Sequence, residues 1–179
     1  MIYVFLANGF EECEALAPID ILKRAGFNVI TVGVNDKTAV GSHNIPVVCD
    51  ITTDEITFEN LEAVILPGGM PGTLNLENDN TVQKAIDFAN QKNLLIGAIC
   101  AAPSILGHKG LLNGKNATCF PGFEKDLLGA TVTNASVVSD GNIITAKGAG
   151  VAFQFGFELL SYLKGEEIAN NLKKQMMFK

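Results

Sequence analysis

The sequence is poor in positive charge and in long apolar runs, and each shortage excludes a class of function. Its 179 residues include 13 Lys and Arg against 19 Asp and Glu, a formal net charge of −6, whereas a nucleic-acid partner requires a basic face. No apolar run is long enough to span a bilayer. The first residues, "MIYVFLANGF", lack the basic leader and cleavage site of a signal peptide. We therefore expect a cytoplasmic protein that binds neither nucleic acid nor membrane.

Motifs for metals and phosphates are also missing. The four cysteines lack the C-x-x-C spacing of metal ligands, and no Walker loop or dinucleotide-binding glycine pattern occurs. We expect no metal and no cofactor, and we expect the cysteines of a cytoplasmic chain to be free thiols. Hydrophobic residues make up 47% of the chain, which is typical of a globular domain with a sizeable core.

Short apolar runs alternate with helical patterns along the chain. Strands buried on both faces are predicted from "IYVFLA", "NVITVGV", "LEAVILP" and "LLIGAI". Helices are predicted over residues 15–27 and 78–93, with two more closing the chain, and Asp140-Gly141 predicts a hairpin turn. The pattern indicates an α/β fold, a three-layer α/β/α sandwich with a mostly parallel sheet, as a single domain over residues 1–179.

The stretch "LLIGAICAAPSI" places Cys100 where a predicted strand turns into a helix. Ligands of open α/β sheets bind at the carboxyl ends of the strands, and a tight strand-to-helix turn there is a nucleophile elbow. Pro103 suits the first turn of the helix, whose dipole would lower the pKa of the thiol. The alternative is that Cys100 is a small buried core residue.

Two other loops leave the same edge of the predicted sheet. In "GFEECEALAP", Glu11, Glu12 and Glu14 precede a helix, where acidic residues stabilise the helix dipole. That role suffices for Glu11 and Glu12, whereas for Glu14 it is evenly balanced with contact to the thiol. In "PGGMPG", the backbone N–H groups of Gly68 and Gly69 are candidate oxyanion donors, together with that of Ala101, and a plain tight turn is the alternative.

These loops together resemble the DJ-1/ThiJ/PfpI superfamily. The segments that carry the resemblance are "LANGFEECEALAPIDILKRAG", "VILPGGMPG", "GAICAAP" and "ITAKGAGVAFQFGFELL", which cover nearly the whole chain. The resemblance implies a flavodoxin-like sheet with a nucleophile elbow, as in class I glutamine amidotransferases. It also implies that Cys100 is the reactive cysteine, that Glu14 is its glutamate partner and that the protein is a homodimer, with Cys13 near the two-fold axis.

Departures from relatives narrow the resemblance to the bacterial ThiJ/YajL-like branch. Ala101 follows the cysteine, where PfpI-type proteases have histidine, so Cys-His peptidase chemistry is not supported. Phe120 replaces a histidine found in the human parkinsonism-associated relative, and it and Cys119 are expected to line the site. His43 falls near an arginine by which relatives reach the site of a dimer partner, so it is either a site residue or a polar loop residue.

The resemblance implies cysteine-dependent detoxification of α-oxoaldehydes, as a glutathione-independent glyoxalase or protein deglycase acting on a small aldehyde or a glycated substrate. We expect a protonated Glu14 to donate a hydrogen bond to the sulfur and thereby lower the pKa of the Cys100 thiol. The alternative is an oxidative-stress redox sensor or chaperone that uses the same cysteine. Nothing in these residues supports a role in thiazole or thiamine biosynthesis.

Overall fold

A seven-stranded sheet forms the centre of the structure, a computed structural model that describes residues 1–178. Its strands are β1 (Ile2–Leu6), β2 (Val29–Gly33), β5 (Ile51–Thr52), β6 (Ala63–Leu66), β7 (Leu95–Ile99), β10 (Val137–Asp140) and β11 (Ile143–Ala146). They lie in the order β10-β11-β7-β6-β1-β2-β5. All neighbours pair in parallel except β10 and β11, which form an antiparallel hairpin. The predicted mostly parallel sheet and its hairpin at Asp140-Gly141 are therefore confirmed.

Four short strands lie outside this sheet. They are β3 (Thr38–Val40), β4 (Pro46–Val48), β8 (Asn116–Ala117) and β9 (Thr131–Val132). The first two form an antiparallel hairpin and the other two a parallel pair. The hairpin closes over the start of the first helix, where its connecting loop contacts Glu12.

Helices cover both faces of the sheet, as the sandwich prediction requires. They are α1 (Glu12–Arg24), α2 (Gly72–Asn78), α3 (Asn80–Gln91), α4 (Pro103–His108), α5 (Ala152–Lys164) and α6 (Glu166–Gln175). Helices α1, α5 and α6 pack on one face, with α3 and α4 on the other. Within residues 1–178, no helix has both the length and the apolar character needed to cross a bilayer. The prediction of one domain extends to Lys179, outside the described residues, and stays a prediction.

Strand β1 shows how the sequence specifies two separate cores. All five of its residues are buried, and because successive side chains of a strand point to opposite faces, they divide between the two layers. Val4 and Leu6 pack in the core under α1 and α5, whereas Tyr3 and Phe5 pack in the core under α3 and α4. A continuous apolar run is thus what a strand covered on both faces requires.

Helix α1 is held close to α5 at a glycine. A Cβ placed on Gly156 would lie 2.6 Å from Cδ1 of Ile21 and 3.0 Å from Cα of Pro18, so only glycine permits this crossing. The contact fixes the position of α1, which carries Glu14.

Two helix boundaries differ from the sequence prediction. Helix α1 begins at Glu12 rather than at residue 15, because the side chain of Glu11 caps it by accepting a hydrogen bond from the Glu14 N–H at 2.8 Å. The predicted helix over residues 78–93 spans Asn80–Gln91, capped by Asp79, and is preceded by the separate helix α2. The segment after β6 is rich in glycine and proline and shows no helical pattern, so the sequence does not predict α2.

Candidate active site

Three chain segments meet at the carboxyl edge of the sheet. They are the connections β1–α1, β6–α2 and β7–α4, and they meet because β6 pairs with β1 on one side and with β7 on the other. The residues they carry are far apart in sequence but adjacent in space. Glu14, Gly68 and Cys100 are the members of this cluster that matter for chemistry.

Cys100 occupies a strained corner between β7 and α4. Its φ is +65°, in the left-handed region that residues other than glycine adopt only when the surroundings enforce it. Two backbone hydrogen bonds do so, since Cys100 N–H donates to the Ala146 carbonyl at 2.8 Å and its carbonyl accepts from Phe120 N–H at 2.8 Å. Helix α4 begins at Pro103. The predicted strand-to-helix elbow is present.

Glu14 lies in the first turn of α1 and is 1% exposed. Its Oε2 accepts a hydrogen bond from Gly68 N–H at 2.9 Å. A Cβ on Gly68 would lie 2.7 Å from that oxygen and 2.6 Å from Cβ of Cys100. Because Gly68 has no side chain, the carboxyl of Glu14 and the thiol of Cys100 can be in contact. Because the Gly68 N–H is held by Glu14, the structure does not support the expectation that it is an oxyanion donor.

The carboxyl and the thiol shift each other's pKa. Burial raises the pKa of Glu14 to about 7, against a smaller lowering by Cys100 and by the N–H groups of Gly68 and Ala149. Burial, followed by the charge of Glu14, raises the pKa of Cys100 to about 12. The N–H groups of Gly69 and Ala101 face the sulfur and lower its pKa, but burial and the carboxylate outweigh them. These contacts favour a thiol pKa above its usual value, which is the opposite of the lowering that the sequence predicts.

A cavity of about 300 Å³ adjoins this pair. It is lined by Phe120, Pro121, Lys147, Gly148, Ala149, Gly150 and Val151. A Cβ on Gly148 would lie 3.3 Å from the Phe120 ring and 3.7 Å from Oε1 of Glu14, so this lining residue lies close to the buried carboxyl. The half-exposed Phe120 lines it, as the sequence predicted.

The profile of the DJ-1/PfpI family matches residues 1–162. The chain belongs to this family. It is 32% identical over 177 residues to the protein dj-1beta of Drosophila melanogaster, covering 97% of this chain and 95% of that one. It is 31% identical over 164 residues to a deglycase of Pyrococcus horikoshii, covering 88% and 96% of the two chains. A mutant DJ-1 superfamily protein of Salmonella typhimurium superposes with a TM-score of 0.94 at 33% identity, covering 99% and 98%. The resemblance drawn from the sequence is thereby confirmed.

Cys119 faces a second cavity of this DJ-1/PfpI protein. The side chain is buried and lines a space of about 240 Å³ with Pro121, Glu124, Val132, Thr133, Asn134 and Lys147. Burial raises the pKa of its thiol to about 11. Cys119 therefore lines the neighbouring cavity and not the one that contains Phe120 and Gly148.

His43 pairs with Glu12 rather than with the Cys100 cluster. Its Nδ1 lies 2.8 Å from Oε2 of Glu12, and its backbone N–H donates to Oε1 at 2.7 Å. The side chain of His43 is 71% exposed, whereas that of Glu12 is 5% exposed. Burial is the largest single effect and raises the pKa of Glu12, but the hydrogen bonds from His43 and from the backbone of Glu12 and Ile45 together outweigh it and lower the pKa to about 2. Within one chain, His43 does not line the Cys100 site.

Glu12 is the residue whose role the sequence analysis missed. Its sequence position predicts a helix-stabilising acid, but in the structure Glu12 also accepts from the Ser42 hydroxyl and anchors the loop between β3 and β4. Carboxylate oxygens of Glu11 and Glu12 and a ring nitrogen of His43, all possible metal ligands, lie within 4.8 Å of one another. The capping bond of Glu11 and the His43 bonds of Glu12 account for this grouping without a metal.

Proposed function

We propose that this protein is a cofactor-independent enzyme that converts α-oxoaldehydes into hydroxyacids, with Cys100 as nucleophile and Glu14 as general base. The observation that carries the proposal is the buried Glu14 carboxyl beside the Cys100 thiol. Its pKa of about 7 suits a general base, since catalysis is most efficient when the pKa of the base lies near the working pH. The thiol pKa of about 12 means that the proton must leave during attack.

The first step is the addition of the thiol to the aldehyde. Sγ of Cys100 attacks the aldehyde carbon while Glu14 accepts the thiol proton, so a C–S bond forms and the C=O double bond opens. The N–H groups of Gly69 and Ala101, which face the sulfur, would stabilise the developing oxyanion. The oxyanion then takes the proton from Glu14, which gives a neutral hemithioacetal and restores the carboxylate.

The second step moves hydrogen between the two carbons. Glu14 removes the proton of the hemithioacetal carbon, which gives an enediolate, and returns that proton to the neighbouring carbon. The hydroxyl proton of the first oxygen passes to the second oxygen, so the C=O of a thioester forms at the first carbon. Water hydrolyses the thioester and releases the hydroxyacid and the free thiol. For methylglyoxal the sum is the aldehyde plus one water giving lactate, with no external oxidant or reductant.

The relatives support a related substrate. Two archaeal relatives are named deglycases, and a glycated thiol or amine is an adduct of the same aldehydes. We therefore include protein adducts of α-oxoaldehydes among the proposed substrates. The half-buried Cys100 and the open cavity beside it are compatible with a side chain presented at a protein surface.

Lactate formation from methylglyoxal without glutathione tests the proposal. Wild-type protein should produce lactate, and Cys100→Ser should produce none above the uncatalysed rate. Cys13→Ser is the matched control, because it removes an exposed thiol that the proposal does not use. Equal rates for wild type and Cys100→Ser would overturn the proposal.

The redox-sensor alternative predicts a different chemistry. Sensor cysteines react as exposed, low-pKa thiolates, whereas burial and the charge of Glu14 raise the pKa of Cys100. Intact-mass analysis after mild peroxide distinguishes the two functions. Addition of two oxygens at Cys100 without any aldehyde turnover would favour the sensor.

A further inference from the structure

Lys147 lies next to Cys100 at the carboxyl edge of the sheet. The register pairs Ala146 of β11 with Ile99 of β7, and Cys100 N–H donates to the Ala146 carbonyl at 2.8 Å. Lys147 and Cys100 are the next residues on these two strands. Since neighbouring strands lie about 4.8 Å apart, the backbone of Lys147 runs directly beside that of the nucleophile.

Lys147 borders two neighbouring cavities near the site. One cavity, of about 300 Å³, is lined by Gly148, which lies close to Glu14, and the other, of about 240 Å³, is lined by Thr133 and Asn134. Pro121 and Lys147 belong to both linings. The two spaces therefore adjoin at Lys147, the residue after Ala146, whose carbonyl accepts from Cys100 N–H.

The charge of Lys147 has no carboxylate partner. Within residues 1–178, no carboxylate oxygen lies within 4.0 Å of its ammonium group, which donates instead to Oδ1 of Asn134. Among the described residues that line the two cavities, Lys147 is the one cation. Glu124 opposes it, although its Oε2 accepts from Gly122 N–H at 2.7 Å.

Both charges act on the second cavity. The pKa of Cys119 is raised by burial first and then by Glu124, and it is lowered by Lys147. Thr133 and Asn134, which line the same cavity, add a neutral hydroxyl and a neutral amide, and Oδ1 of Asn134 accepts from the ammonium group. A cation in a cavity that also has neutral polar groups, on the strand next to that of the nucleophile, can bind a carboxylate.

We propose that Lys147 is a specificity-determining residue that selects carbonyl substrates with a carboxylate a few bonds from the aldehyde. The inference rests on the proposed function for its substrate class, an α-oxoaldehyde whose far end is anionic. For 4,5-dioxopentanoate the overall change is again the addition of one water, which gives 2-hydroxyglutarate. The carboxylate binds at Lys147 and the aldehyde carbon reaches Cys100.

Alkylation of Cys100 tests this charge selectivity without requiring turnover. Iodoacetate and iodoacetamide are nearly isosteric and differ in charge. Lys147→Met should slow iodoacetate labelling of Cys100 roughly tenfold, the lower end for a charge-assisted hydrogen bond, and leave iodoacetamide labelling unchanged. Lys147→Arg should retain the wild-type ratio. The exposed Cys13, near three acidic side chains, serves as an internal reference whose ratio the variants should not alter.

Lys115→Met is the matched control for net charge. Lys115 approaches Asp140 at 3.7 Å, at the turn of the β10–β11 hairpin and so at the opposite end of β11 from Lys147. The substitution removes the same charge from the protein and should leave the labelling ratio at Cys100 unchanged. Glu124→Gln, which removes the opposing charge, should raise the iodoacetate rate.

Turnover then separates this inference from the proposed function. Wild type should favour 4,5-dioxopentanoate over methylglyoxal in kcat/KM, and Lys147→Met should lose about tenfold on the anionic substrate alone. Unchanged labelling and turnover ratios in Lys147→Met, with methylglyoxal still converted, would overturn the role of Lys147 only. Altered labelling ratios with no turnover of either aldehyde would overturn the proposed function only.

Discussion

Replacing Glu14 with glutamine should lower the pKa of the Cys100 thiol. In the wild-type protein, burial, the charge of Glu14 and its hydrogen bond raise that pKa from 9.0 to about 12. The glutamine side chain has no charge, so the repulsion between a carboxylate and the thiolate disappears, whereas the burial of the sulfur and the N–H groups of Gly69 and Ala101 remain. The proposed base is also lost, so aldehyde turnover should fall with the thiol pKa.

The size of the fall follows from the separation of the two groups. Unit charges about 4 Å apart at an effective dielectric constant near 20 interact by about 4 kcal/mol, or roughly three pKa units. Cys100 is only partly buried, so solvent screens this interaction, and burial is the largest cause of the rise. We therefore expect the pKa of Cys100 to fall by about one to two units. Glu14→Leu should show a smaller fall, since leucine offers the thiolate no polar contact.

The assay follows thiolate absorbance and the rate of iodoacetamide labelling against pH, in a Cys13→Ser background. Turnover supplies a second readout. A base must be ionised, so wild-type kcat/KM should rise as the pH increases through about 7, where Glu14 loses its proton. This rise of kcat/KM with pH should be absent in Glu14→Gln.

One result would refute this reasoning. If the thiol pKa rises in both Glu14→Gln and Glu14→Leu, then the proton shared by the pair resides on Glu14 in the wild type and stabilises a thiolate. A carboxyl and a thiol in contact titrate as a pair. The change in the thiol pKa on removing the carboxyl shows whether the proton that the pair shares lies on Glu14 or on Cys100. A rise would restore the donor role expected from the sequence and exclude Glu14 as the base for thiol attack.

Three further predictions concern residues around the pair. Gly68→Ala should abolish turnover while the protein remains folded, because its Cβ would lie 2.6–2.7 Å from Cys100 and Glu14 atoms; normal kcat with a normal circular dichroism spectrum would contradict this. Glu12→Gln should lower the free energy of unfolding at pH 7 by roughly 1–3 kcal/mol. In wild type that stability is present above pH 4.5 and lost as the pH falls towards 2, and denaturant unfolding against pH should show the loss flattened in the variant. Diamide should produce a dimer-linked band that Cys13→Ser removes, as a two-fold contact at Cys13 requires; a strictly monomeric protein in sedimentation would exclude it.

The order of the elements was predictable because each is specified by neighbours in sequence. The continuous apolar run of β1 predicts a strand covered on both faces, and the structure divides its side chains between two cores. The Cys100 corner was predictable for the same reason, since an apolar strand, a tight turn and Pro103 lie within a few residues. Boundaries were less accurate, because the start of α1 depends on the capping bond of Glu11.

The contacts of Glu12 and His43 could not be predicted from sequence. They lie 31 residues apart, and nothing local to either indicates the hairpin that brings them together. The burial of Glu12 beneath this loop is a tertiary effect, whereas its position at the start of a helix suggested only an interaction with the helix dipole. The one weak signal was the histidine in "GSHN", a polar group that required a partner.

The sequence predicts a lowered pKa for the Cys100 thiol, whereas the structure favours a raised one, and the reason is again tertiary. The sequence places Cys100 before a helix, and the dipole of a helix favours a thiolate, but α4 has only six residues. The N–H groups that face the sulfur belong to Ala101 in the turn and to Gly69 in the β6–α2 connection. Burial and the carboxyl of Glu14, which belongs to α1, act in the opposite direction and raise the pKa of the thiol. Gly68 lies next to both the carboxyl and the thiol and has no side chain to separate them. Glu14 is fixed because α1 is a rigid element packed on α5 at Gly156. Its elevated pKa therefore arises from packing, and the same packing that makes the thiol a poor free nucleophile supplies the base that activates it.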